Sequence, residues 1–342
     1  MTETKPLLNS AFVFIKPHAN TEAVQTLVRE VLTNRGIDIT REGELTAKQI
    51  DEGKLIDQHY YAIASKATIL KPDQLNVPEE KFEKKFGLPW KKALAEGKVF
   101  NASDACKELN IDSAELDRLW AEAKANGHLI KFGGGFYCGK LYKPDGTMIY
   151  VFNGFFMAMR QKFVAEGTSI YYYLVEWDPK KLSWAEFRGA VLGPTDPATA
   201  PADSLRRVIY DKWEFLGLQA QPNVGDNGVH ASASPFEALA EKTNWLGVAV
   251  ADDAFGAALL DAGVSAKTIE SWSVDPQVEY GPTAIKTSFF DALEDTDVDE
   301  CLARCSLINL GPRYKKSVLP IVGAFVVGTA LGALLGAKLL KD

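Results

Sequence analysis

The 342-residue chain carries 38 basic against 45 acidic residues, a net charge of −7, which argues against a nucleic-acid-binding protein because neutralising a phosphate backbone takes clustered lysine and arginine. Its hydrophobic fraction of 46% and charged fraction of 24% suit a globular chain of two or three domains with a full core. Cysteines at 106, 138, 301 and 305 form no ligand pattern with one another or with a nearby histidine, so reduced thiols are expected and a metal site is not.

In chain order, Ala11-Phe12-Val13-Phe14-Ile15 is an apolar run closed by Lys16-Pro17 and predicts a strand buried on both faces. Residues 21–34 put Val24, Leu27, Val28, Val31 and Leu32 on one side and stop before Gly36, which predicts an amphipathic helix. A strand over 37–45 and a helix over about 47–65 follow, an order that fits an α/β or α+β sandwich. From about residue 66 the texture changes. Two short helices are predicted within 101–127, the second opened by Asp112-Ser113-Ala114-Glu115, and three glycines turn a hairpin over 128–138. This pattern suggests a small winged-helix-like insert, but the second helix sets Glu115, Asp117 and Glu122 against Arg118 and Lys124, which is not a DNA-reading face.

Globular texture returns at 146–153, followed by a helix over 155–163 and the strongest strand of the chain, Ser169-Ile170-Tyr171-Tyr172-Tyr173-Leu174-Val175-Glu176-Trp177. Trp184, Phe187, Ala190 and Val191 repeat at helical spacing over 180–192, and a loop stiffened by Pro194, Pro197 and Pro201 leads to short structure at 204–213. Beyond a short strand predicted at 247–250, residues 251–312 read as an acidic extension with a helix at 254–262.

Residues 227–241 stand out. Ser234, Pro235 and Glu237 make a capping box with proline at the first helical position, so a helix begins there and His230 lies just upstream of its N-terminus. Free N–H groups and the positive end of the helix dipole favour an anion at that place. Glu237 and Glu241 share one face of the helix, and either can orient the imidazole. Near the C-terminus, residues 318–337 form an uncharged run flanked by Arg313, Lys315, Lys316, Lys338 and Lys341, long enough to predict a membrane-spanning helix. Gly328, Gly332 and Gly336 would then line one face for a partner helix, with the bulk of the chain facing the cytosol.

Several separated pieces together resemble nucleoside diphosphate kinase: Phe12-Val13-Phe14-Ile15-Lys16-Pro17, then His59-Tyr60, then Thr195-Asp196-Pro197 running to Arg206, then Val224-Gly225-Asp226-Asn227-Gly228-Val229-His230-Ala231-Ser232, and finally Glu241. Threonine to arginine and histidine to glutamate are each eleven residues apart, as in that family. The resemblance implies a discontinuous ferredoxin-like α/β sandwich over 1–65 and 145–250; the rest of the chain divides into an insert at 66–144, an extension at 251–316 and the transmembrane anchor expected at 317–340. It also implies ping-pong transfer of a γ-phosphate between nucleoside tri- and diphosphates through His230. Lys16, Tyr60, Thr195, Arg206 and Asn227 would serve phosphates and ribose, Val224 one side of the base slot, and Glu241 with Ser232 the imidazole tautomer. Mg²⁺ would arrive with the nucleotide.

Some positions depart from the family pattern. Arg188 stands one residue farther from Thr195 than the family's arginine, so it is equivalent only if that helix end shifts. Lys66 and Thr68 replace an arginine and a base-stacking phenylalanine, and Ala231 and Ala233 replace a glycine and an aspartate. The alternative reading is a weak or inactive kinase-like module serving as nucleotide sensor or as subunit of a membrane complex. An oligomer or complex subunit is expected under either reading.

Overall fold

The computed structural model describes residues 6–133, 135–143, 145–280 and 285–311. Its strands are β1 (Asn9–Ile15), β2 (Asp38–Thr46), β3 (Val99–Asn101), β4 (Leu129–Gly133), β5 (Phe136–Tyr142), β6 (Met148–Phe152), β7 (Ser169–Trp177), β8 (Val229–Ala231), β9 (Gln277–Tyr280) and β10 (Ile285–Ser288). The first sheet is antiparallel in the order β2-β7-β1-β8. Helix Glu22–Asn34 carries the chain from β1 over to β2 and leaves between them the slot that β7 fills, the arrangement of a ferredoxin-like sandwich. Because side chains alternate along β1, its two faces feed two cores. Val13 and Ile15 pack with Val24, Val28, Tyr173, Val175 and Ile209. Phe12 and Phe14 pack with Ile50, Ile56, Phe163, Tyr172 and Trp245 on the other side. The central position of β1 explains why its apolar run is continuous rather than alternating.

The second sheet has the order β3-β6-β5-β4, with β3 and β6 parallel and the other pairs antiparallel. Helices Ala102–Leu109 and Ser113–Ala125 pack on one face through Ala105, Leu116 and Trp120, and Phe82 and Trp90 pack on the other. Met148–Phe152, read from sequence as the return of the first globular texture, supplies an inner strand of this second sheet and is buried from Ile149 onward.

The helix expected over 47–65 is three short pieces, Ala47–Glu52, Leu55–His59 and Tyr61–Ala64. Lys54 sits at φ 51° and Tyr60 at φ −102°, ψ 39°, so both leave helical geometry and the chain bends around the sheet. No strand forms at 247–250: Gly247 at φ 66° ends helix Pro235–Leu246, and a 3₁₀ turn follows at Val250–Asp252. The extension covers the outer face of helix Pro235–Leu246, with the Phe236 ring 4.8 Å from Phe289 and 6.0 Å from Trp272. Cys301 and Cys305 are buried free thiols within that layer.

The expected C-terminal membrane helix, and with it a chain held at a membrane, is corrected by the structure. Among the described residues no helix is long and apolar enough to cross a membrane. The longest described helices have 13 residues, about 20 Å at the usual rise against a hydrocarbon layer of about 30 Å. Residues 318–337, on which that expectation rested, and their glycines Gly328, Gly332 and Gly336 lie outside the described residues.

Candidate functional site

His230 occupies the middle of β8, opposite Phe14 on β1, and its imidazole stacks on the Phe14 ring at 4.7 Å. That register turns it toward the face that carries Trp245 and the short helix Leu55–His59. Gly228, at φ 87°, brings the chain into β8; an added Cβ there would stand 3.2 Å from the Ile209 side chain. Ser234 caps helix Pro235–Leu246 by accepting from Glu237 N at 3.2 Å, which fixes the helix that presents Glu241.

Glu241 Oε1 lies 2.6 Å from His230 Nε2, and Glu241 Oε2 lies 2.5 Å from Ser232 Oγ. Ser232 also accepts from Phe12 N at 2.9 Å and lies 3.1 Å from Phe12 O. One hydroxyl proton cannot serve both Phe12 O and Glu241 Oε2; Phe12 O already accepts from Ser232 N at 3.1 Å, so the hydroxyl donates to Oε2. Burial pushes the Glu241 carboxyl up to about 8, against the Ser232 hydrogen bond and the Lys242 charge. Oε1 faces His230 Nε2, and in the tautomer whose Nε2–H donates to it, Nδ1 keeps its lone pair. Burial first, then Lys16, Arg206 and Arg188, hold the His230 imidazole well below its ordinary pKa, so it stays neutral. Charging both partners as an ion pair would place two ions in a nearly closed site, against both directions of shift.

Cations gather at the same end. Lys16 Nζ lies 3.3 Å from Gly225 O, and burial, with the charge of Arg206, holds its ammonium down to about 8. Arg206 donates through Nε and Nη2 to Val229 O at 3.1 and 3.0 Å and through Nη1 to Gly193 O at 2.8 Å. Two of the five guanidinium N–H groups remain for a ligand. Asn227 donates to Thr195 O at 3.1 Å, while its Oδ1 is buried with no hydrogen-bond partner. The buried Tyr60 hydroxyl is pushed up to about 12 by burial and by Glu241, so it is a donor at any ordinary pH.

Not every expected residue meets His230 in this way. Thr195 is exposed, and Val224 stands 57% exposed. Arg188 turns to the extension, donating to Glu294 at 2.8 Å and to Asp295 at 2.6 Å. Its extra residue of separation from Thr195 is taken up by a π-type turn over Phe187–Leu192, where Gly193 N reaches back to Arg188 O. A second such turn, Ser65–Ile69, consumes the replaced base-end positions: Lys66 donates to Ala62 O at 2.5 Å, and Thr68 to Asp57 at 2.7 Å.

Three site neighbours escaped the sequence reading. His18 Nε2 accepts from Gly228 N at 3.1 Å, which requires a neutral ring, and burial holds it down to about 4. Lys162 clamps Asp226 at 2.7 and 2.9 Å. His59, 4% exposed, lies 3.4 Å from Glu241 Oε1. The adjacent His59-Tyr60 pair was the available signal, but the first of the two received no role.

No family model matches the chain, and no curated protein does. Among solved structures it is similar to an NDP kinase from Pyrobaculum aerophilum, with 17% identity, 70% of this chain and 96% of that chain covered, and a TM-score of 0.30. At this level the likeness says nothing of activity, and the chemistry must come from the side chains themselves.

Proposed function

We propose that the chain is a nucleoside diphosphate kinase-like phosphotransferase that carries a γ-phosphate on Nδ1 of His230 between nucleoside tri- and diphosphates. The carrying observation is the neutral imidazole whose Nε2 is engaged by Glu241 while the charges of Lys16 and Arg206 act on the ring. In the first half-reaction the Nδ1 lone pair forms a bond to the γ-phosphorus as the bond to the bridging oxygen breaks, and the diphosphate leaves with that electron pair. Positive charge developing on the ring strengthens the Nε2–H bond to Oε1. Lys16 and the spare N–H groups of Arg206 meet the phosphate oxygens, and the orphaned Asn227 Oδ1 suits a ribose hydroxyl. The second half-reaction reverses these steps onto a different diphosphate.

Asp226 is engaged by Lys162, and among the described residues no carboxylate cage for Mg²⁺ stands at this end. Mg²⁺ fits as a passenger on the nucleotide's own oxygens and water, where it neutralises phosphate charge. Incubation with γ-labelled ATP tests the reading. An acid-labile label absent from His230→Gln supports it, and nucleotide binding without label sinks it. The alternative, a nucleotide-binding module of low turnover, is favoured by one observation: Arg188 is paired with Glu294 and Asp295.

A further inference from the structure

His59 takes no part in the transfer proposed above, yet it lies inside the same wall. Trp245 Nε1 is 3.3 Å from His59 Nδ1, and an indole N–H can only donate, so Nδ1 presents a lone pair. Glu241 Oε1 stands 3.4 Å from that nitrogen while accepting the His230 Nε2–H bond at 2.6 Å. An imidazole nitrogen and a carboxylate oxygen therefore face each other at 3.4 Å, with side chains only 4% and 5% exposed. A cation satisfies such a pair.

We propose that His59, Glu241 and His230 form a binding site for one divalent transition metal of the Zn²⁺ class. Their donor atoms all lie within 4.8 Å of one another and come from β8 and two helices rather than from loops. Neighbouring donors in a tetrahedral zinc site with bonds of about 2.0–2.1 Å stand roughly 3.3 Å apart. The gap from Oε1 to His59 Nδ1 already has that length; the 2.6 Å contact from His230 to Glu241 must open and the long Trp245 bond must yield, with the two imidazole donors within 4.8 Å of each other.

Two imidazoles and a carboxylate suit Zn²⁺, Co²⁺, Ni²⁺ or Cu²⁺ and do not suit Mg²⁺, which takes oxygen ligands. A cavity of about 130 Å³, lined by Gln58, His59, Glu237, Glu241 and Asn244, opens beside the Glu241–His59 edge and gives room for a water at the fourth position. On binding, Glu241 coordinates as the carboxylate, any proton it holds passing to solvent, and the His230 proton passes from Nε2 to Nδ1. The metal-bound histidine has then lost the lone pair that attacks phosphorus. This consequence, unlike the binding itself, rests on the phosphotransfer reading.

The test titrates the chelator-treated full-length protein with Co²⁺. One equivalent bound, with the visible absorption of four-coordinate cobalt, no thiolate charge-transfer band and displacement by Zn²⁺, is the expected result. His59→Gln weakens binding at least tenfold and abolishes Zn²⁺ inhibition of His230 labelling. Trp245→Phe, which frees the Nδ1 lone pair, tightens binding severalfold and keeps the test decisive if the first variant fails to fold. No bound cobalt, a thiolate band, equal affinity in His59→Gln or weaker binding in Trp245→Phe overturns the site. Cobalt bound as described with no labelling in any form supports the metal site and removes the phosphotransfer reading instead.

Discussion

Glu241 receives the Ser232 hydroxyl at Oε2 and faces His230 Nε2 through Oε1, so both of its oxygens serve as acceptors. A glutamine offers one acceptor oxygen and can reproduce only one of these bonds. Glu241→Gln is therefore expected to lose about 10²-fold in labelling rate, close to Glu241→Ala, as expected when an orienting partner in proton chemistry is removed. A Glu241→Gln rate within about tenfold of wild type, read by rapid-quench labelling, would show that a neutral group suffices at this position. Lys16 sets a pH dependence. Its folded pKa is lowered to about 8, so its charge is lost as pH rises through that value, long before an exposed lysine would lose it. Nucleotide affinity measured by calorimetry should fall above pH 8, by up to about tenfold per unit, and Lys16→Arg should flatten that fall. His59 shows the limit of sequence reading at this scale. Its importance comes from three elements meeting, and a histidine beside a tyrosine on a short helix carries no mark of that.

At the scale of elements, local signals proved legible. The Ser234 cap and Pro235 mark the start of the helix that holds Glu241, and the apolar run at 11–15 marks a strand buried on both faces. Pairing partners were not legible. Met148–Phe152 is apolar enough to enter either sheet, and only the neighbouring β3 and β5 assign it to the second. The π-type turn at Phe187–Leu192 was likewise hidden, because one added residue looks the same in sequence whether a helix shifts its end or widens a turn. That turn leads to a prediction: Arg188 is held by two carboxylates that are themselves 47% and 46% exposed. Such pairs are worth about 0.2–1 kcal/mol, so neutralising them as Glu294→Gln with Asp295→Asn should tighten nucleotide binding by up to about fivefold. The gain should vanish when Arg188→Ala is added. No gain in the acidic double variant would mean that Arg188 does not reach the phosphates.

For the molecule as a whole, helix Pro235–Leu246 is the shared part. One of its faces gives Glu241 and Trp245 to the first sheet, and the other gives Phe236 and Leu239 to the extension. The two layers are also tied by Lys242 and Asp253, an ion pair with side chains 5% and 6% exposed, in which Asp253 also caps helix Ala254–Asp261. Removing one partner leaves the other buried and unpaired, so Lys242→Met should cost about 3–5 kcal/mol by denaturant unfolding, much of it recovered in combination with Asp253→Asn. A loss below about 1 kcal/mol would show that the extension is not coupled to helix Pro235–Leu246. Composition gave no sign of this coupling, since an acidic extension reads the same whether it hangs free or forms a wall.

The central claim is that Glu241 engages Nε2 and leaves Nδ1 of His230 to receive the phosphoryl group. The direct measurement is ³¹P and ¹⁵N NMR of the labelled full-length chain, which identifies the ring nitrogen bonded to phosphorus. Phosphorus on Nδ1 of His230 is the predicted result; phosphorus on Nε2, or a label that survives His230→Gln, would contradict it.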